Sequence, residues 1–163
     1  MKLGFALSLF ISVIFFPVAS NAVMRGMPDD SSLRVHVGDA APLTSPELKK
    51  AHAEGKAIVL MFGNVDQCLY CERNWVNILF VTQKYSKDTV AIIIDYLPAE
   101  LSMPNPADVA VADQYGLIGE PWIFLIDKKG IIRHIFQSFT GVTALNDELI
   151  KMKLELNPAL STK

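Results

Sequence analysis

The chain has 163 residues, which suits one domain; two domains would each be left with little core. Apolar residues make up 51% and charged residues 20%, which excludes a disordered tail or a low-complexity linker, and 15 basic against 17 acidic residues exclude the electrostatic footprint of a nucleic-acid binder. Two cysteines are too few for a multi-disulfide scaffold or a four-cysteine zinc site.

The first residues read as a leader. Lys2 precedes an apolar run from Leu3 to Phe16, followed by Pro17 and the small residues Val18 to Ala22. A basic start, an apolar centre and small residues at −3 and −1 (Ser20 and Ala22) predict a secretory signal over 1–22, cut after Ala22. The apolar run is too short for the roughly 20 residues of a spanning helix. Retention as an uncleaved anchor is the alternative. The mature chain is therefore expected in the periplasm or secreted, where dithiols can be oxidised.

Residues 23–32 are polar and carry Gly and Pro, a flexible arm, and 33–160 form one domain without internal repeats. Leu33, Val35 and Val37 alternate with Arg34 and His36, which predicts a half-buried strand. Ser45-Pro46-Glu47 offers an N-cap, a first-turn proline and a first-turn acid for a helix ending near Gly55. Ala57–Phe62 is a continuous apolar run of strand length, as expected of a strand covered on both faces. Helical spacing runs from Tyr70 to about Tyr85, with Trp75, Ile78, Leu79 and Thr82 on one face, and Thr89–Ile94 predicts a second buried strand.

A proline-bearing loop (Pro98, Pro104, Pro106) leads to a short helix over Asp108–Tyr115. Ile123–Ile126 and Ile131–Phe136 are strands joined by the turn Asp127-Lys128-Lys129-Gly130, and Thr143–Leu156 closes the chain as a helix. Early alternation of strand and helix implies parallel pairing with right-handed crossovers, and the hairpin adds antiparallel edges. The fold class is α/β: a central mixed sheet with helices on both faces.

Chemistry concentrates at Cys68 and Cys71, which follow a buried strand and open a helix. A thiolate there meets unpaired backbone N–H groups and the positive end of the helix dipole, both of which lower its pKa. Two intervening residues let both sulfurs meet within one turn, with Cys68 as the exposed nucleophile and Cys71 as the buried resolving thiol. Such a dithiol exchanges disulfides through a mixed-disulfide intermediate. A purely structural disulfide is a weaker reading, because a four-residue loop gives little chain-entropy stabilisation. Metal binding is weaker too: His36, His52 and His134 stand at no tight spacing from the cysteines, so no metal site is assigned and no cofactor beyond the redox disulfide.

Two separated signals extend this reading. Val59-Leu60-Met61-Phe62 leads into Cys68-Leu69-Tyr70-Cys71, and Tyr115-Gly116-Leu117-Ile118-Gly119-Glu120-Pro121 runs on through Trp122 to Asp127 and the turn glycine Gly130. In this order they resemble the thioredoxin superfamily over about Leu33 to Leu156. The resemblance implies a thioredoxin-like fold and a cis bond between Glu120 and Pro121 beside the cysteine pair. It also implies that the backbone of Glu120 pairs with a substrate strand. Trp122, next to that proline, fits core packing and the rim of a substrate groove equally well. Tyr70 matches the aromatic that precedes the second cysteine in many extracytoplasmic relatives, and joins the expected substrate contacts.

The chain also departs from cytoplasmic thioredoxins. Gln67 stands where they have tryptophan, Leu69-Tyr70 replaces glycine–proline, and Ile58–Phe62 holds no acid where they bury an aspartate. The likeness is therefore to a small secreted thioredoxin, monomeric, acting as a thiol:disulfide oxidoreductase on protein or small-molecule disulfides and re-reduced by a membrane electron donor. The rival expectation is a redox-inert or metal-carrying binding module on the same fold. Asp66, Glu72 and Glu120 around the pair disfavour thiolate and predict a reducing couple.

Overall fold

The computed structural model describes residues 32–97 and 103–156. The expected leader at 1–22, the arm up to 31, Pro98 and the end of the domain at 157–160 lie outside the described residues.

The elements run α1 (Pro46–Ala53), β1 (Ala57–Phe62), α2 (Leu69–Gln83), β2 (Thr89–Ile94), α3 (Pro106–Tyr115), β3 (Trp122–Ile126), β4 (Ile132–Gln137) and α4 (Val142–Leu156). They build a four-stranded sheet in the order β2-β1-β3-β4. β1 pairs parallel with β2 and antiparallel with β3, and β3–β4 is an antiparallel hairpin. The mixed sheet is thus as expected.

The sheet is covered on both sides, and the residues of β1 alternate between the two layers. Ile58, Leu60 and Phe62 pack with Leu48 and Ala51 of α1 and with Val111, Ala112 and Tyr115 of α3. Val59 and Met61 pack with Ile78 and Val81 of α2 and with Leu145, Leu149 and Met152 of α4. Every residue of β1 and β3 is buried, which is why both read as unbroken apolar runs.

Local chemistry sets the boundaries. The Ser45 hydroxyl caps α1 by accepting from Leu48 N, and the Asn105 side chain caps α3 by accepting from Ala107 N, so α3 starts two residues earlier than expected. Gly116 ends α3 with a left-handed φ of 73°, and a Cβ there would lie 2.5 Å from Ser32 O, so the position takes no side chain. The buried Asp127 carboxylate organises the hairpin turn. It accepts from Lys129 N and Ile131 N and pairs with Arg133 at 2.5 Å.

Two expectations need correction. Residues 33–37 form no strand; an isolated bridge follows them, joining Ala40 to Ile131. Arg34 N donates to Tyr115 O and His36 N to the Asp39 side chain, so its hydrogen bonds go to a helix end and a turn, not to a ladder. The alternation reports burial at Leu33 and Val35, which face the core, but not at Val37, which is exposed. In α2 the buried face holds Cys71, Asn74, Ile78, Val81 and Thr82, while Leu79 is exposed.

Asn74 is fully buried and clamps the segment after β4 onto α2: its amide donates to Ser138 O and its carbonyl accepts from Thr140 N. Asn74→Ala orphans two backbone groups at about 1–3 kcal/mol each. The variant is expected to lose at least about 2 kcal/mol in urea unfolding, with an unchanged far-ultraviolet circular dichroism spectrum.

Candidate active site

The site lies where β1 ends and α2 begins, against the turn that precedes β3. Cys68 is the N-cap of α2, in extended conformation, and its sulfur accepts from Cys71 N at 3.1 Å. Cys68 and Cys71 are joined as a disulfide with their Cα atoms 5.1 Å apart. Cys68 is partly exposed and Cys71 fully buried. Helix geometry places the first sulfur at the surface and the second inside.

The loop between strand and helix is held by Asn64. Its side-chain oxygen accepts from Asp66 N and Gln67 N, and its backbone carbonyl accepts from Cys68 N. Its amide donates to Asp95 Oδ2 at 2.9 Å, and its backbone N–H donates to Glu120 Oε2 at 2.7 Å. One residue therefore ties the end of β1, the start of α2, the end of β2 and the turn before β3. That turn is also held by Tyr96, whose hydroxyl donates to Gly119 O.

Glu120 is half-buried and its side chain points at the cysteines. Among the described residues, Cys68 Sγ, Cys71 Sγ and a Glu120 carboxylate oxygen all lie within 4.8 Å of one another, and no histidine joins them. Burial pushes the Glu120 carboxyl up from its usual value; the Asn64 N–H opposes this, and the Asp95 carboxylate adds to it. The Glu120–Pro121 peptide is cis, and Pro121 is buried. The Pro121 carbonyl accepts from Ser138 N, while Glu120 stands one residue beyond it, before the β3 ladder begins.

The remaining sequence candidates divide. Tyr70 is half exposed, and its ring tilts against Phe139 at 6.3 Å. Leu69 and Phe139, both exposed, line a cavity of about 470 Å³ with Glu72, Arg73, Val76 and Asn77. Trp122 does not reach this rim. It is 1% exposed, packed in the core layer of α1 and α3, with its indole N–H on Ile118 O. Its side chain is core, because the first residue of β3 turns its side chain to the opposite face from the α2 layer.

Sequence reasoning missed Gly63, the anchoring role of Asn64, and Asp95. The dipeptide Gly63-Asn64 directly after an apolar strand is a turn signal that pointed to the first two. A Cβ on Gly63 would stand 2.7 Å from Cys71 Sγ and 3.5 Å from Glu120 Oε2. Glycine is needed there so that the buried Cys71 sulfur can approach the backbone.

A family model described as a thioredoxin-like domain matches residues 45–153. Among solved structures, the chain is similar to a Chlorobium tepidum protein described as a thiol:disulfide interchange protein, DsbE. Identity is 20% and TM-score 0.57, over 72% of this chain and 98% of that one. It is similar to a thiol:disulfide interchange protein from Bacteroides sp., with 20% identity and TM-score 0.56 over 72% and 90% of the two chains. It is also similar to Arabidopsis thaliana ScoI solved with copper bound, with 15% identity and TM-score 0.51 over 62% and 86%. At these identities the likeness shows the fold. No curated protein matches the sequence.

Gly63→Ala forces the Cys71 sulfur or the β1 backbone to shift. It is expected to destabilise the oxidised protein by about 1–3 kcal/mol in denaturant unfolding. A variant as stable as the parent would show that the sulfur yields freely.

Proposed function

The chain belongs to the thioredoxin-like domain family, and on that footing we propose that it is an extracytoplasmic thiol:disulfide oxidoreductase working as a reductase. The observation that carries this reading is the Cys68–Cys71 disulfide at the first turn of α2, with one sulfur accessible and the other sealed.

In the reduced protein the Cys68 thiolate attacks one sulfur of a substrate disulfide. The substrate's other sulfur leaves as thiolate, and a mixed disulfide to Cys68 forms. The Cys71 thiolate then attacks Cys68 Sγ, the intramolecular disulfide closes, and the substrate departs as its second thiolate. Two electrons pass to the substrate. The Glu120 backbone beside Pro121 offers the edge on which an extended substrate docks, and Tyr70 with Phe139 supplies an apolar lip.

The reducing direction follows from charge. An ionised Glu120 carboxylate oxygen within 4.8 Å of both sulfurs repels a thiolate there by at least about 3.5 kcal/mol at an effective dielectric of about 20. The helix terminus returns about 0.3–1 kcal/mol, at most about 2. Repulsion wins, so the dithiolate is poorly stabilised and gives up its electrons readily. Substrates are protein or small-molecule disulfides, and a membrane electron donor restores the dithiol of a monomer. The leader-like Met1–Ala22 supports a periplasmic or secreted location. Among the described residues no helix is long and apolar enough to cross a membrane.

Titration of the full chain in glutathione buffers is expected to show one reversible two-electron transition, with a midpoint nearer ~−270 mV than ~−120 mV. Absence of the transition overturns the oxidoreductase reading, and a midpoint above about −180 mV overturns the reducing direction. In the reduced protein, alkylation is expected at Cys68 well before Cys71. Cys71→Ser is expected to hold substrates as mixed disulfides on Cys68.

A further inference from the structure

We propose that the reduced protein holds one Zn²⁺ ion between the Cys68 thiolate, the Cys71 thiolate and the Glu120 carboxylate, and that oxidation of the pair releases it. The proposal rests on the dithiol state that the oxidoreductase reading requires, but on none of its substrates or its direction.

The donor set is the first argument. The three ligand atoms already lie within 4.8 Å of one another. Two sulfurs bound to one tetrahedral zinc at about 2.3 Å sit roughly 3.8 Å apart, so reduction and a small rotation of the partly exposed Cys68 side chain open the required space. Thiolate pairs select thiophilic ions, and adding a carboxylate oxygen suits divalent zinc better than monovalent copper, which prefers sulfur alone. The histidine that a sequence search would look for is not needed.

Charge is the second argument. Once the pair is reduced, the two sulfurs and Glu120 concentrate negative charge in a part-buried cleft, and Asp95 stands next to Glu120. Among the described residues Glu120 has no cationic partner; its recorded contact is the Asn64 N–H. A dication neutralises what the protein leaves uncompensated.

Support around the ligands is the third. Asn64 N–H fixes the Glu120 carboxylate through Oε2, and Cys71 N–H already points at the Cys68 sulfur. Outer hydrogen bonds of this kind orient metal ligands. Cys68 and Glu120 are both partly exposed, so the fourth position faces solvent and the ion can exchange. Binding replaces two S–H protons by two S–Zn bonds and releases both protons, with no change of oxidation state. When a disulfide oxidises the pair by exchange, Cys68 and Cys71 bond to each other, the incoming disulfide takes the two electrons and leaves as two thiols, and the ion loses both sulfur ligands and departs.

The test uses the full chain reduced with a phosphine, freed of reductant under argon, and titrated with Zn²⁺ against a chromogenic chelator, with Co²⁺ as the spectroscopic probe. Expected are one ion per chain, a sulfur-to-cobalt charge-transfer band, and no binding by the oxidised protein. Cys68→Ser and Cys71→Ser are expected to abolish binding. Glu120→Gln keeps an acceptor for Asn64 N–H and is expected to weaken zinc at least tenfold with an unchanged thermal melt. Zinc binding by Glu120→Gln as tight as by the parent, two chains per ion, or no binding above the cysteine variants would each overturn the proposal. A chain that exchanges disulfides but binds no zinc sinks this inference alone. One that binds zinc but shows no two-electron transition sinks the oxidoreductase reading instead.

Discussion

The arrangement at the cysteines depends on the hydrogen bond from Asn64 N–H to the Glu120 carboxylate. It joins two stretches far apart in sequence, the exit from β1 and the turn before β3, across the mouth of the sheet. Past Gly63, whose N–H donates to Ile94 O of β2, the loop leaves the sheet, and the Glu120 side chain is half desolvated beside a second carboxylate. The bond gives the carboxylate a donor and gives the loop an anchor, while the Asn64 side chain spends its remaining groups on Asp95 and on the approach to α2. The sulfurs then inherit their position from the helix that this loop starts.

This dependence explains why chemistry of one sign gathers here. A strand covered on both faces must end in polar chain, and here the polar groups that meet at its end are Asn64, Asp95 and Glu120. None of them is basic. The same shortage of positive charge underlies both proposals, electron donation by the dithiol and capture of a dication.

The layers were legible in the sequence because burial is written in period: Ala57–Phe62 and Ile123–Ile126 as unbroken apolar runs, and Leu145, Leu149 and Met152 at helical spacing. The cysteine pair was legible because strand, loop and helix start are local. What a segment's backbone pairs with was not. Residues 33–37 carry the alternation of a strand, yet their hydrogen bonds go to Tyr115 and Asp39. Which way Trp122 points was equally hidden, and Glu120 was expected beside the pair only through the resemblance. Facing direction next to a tight turn is set by the turn, and no periodicity reports it. The result is that Trp122 belongs to the core and the Glu120 side chain to the cysteines.

The Asn74 clamp has a mechanical consequence. Ser138, at a left-handed φ of 68°, is bound through its N–H to Pro121 O and through its carbonyl to Asn74, and Thr140 is bound to Asn74 as well. Phe139 sits between these fastenings with its ring outward against Tyr70. A group pressing on that ring loads the helix that carries the cysteines and the turn that carries the proline at the same time. The two walls of the cleft are therefore coupled: displacing either one draws on the hydrogen bonds that fasten the other.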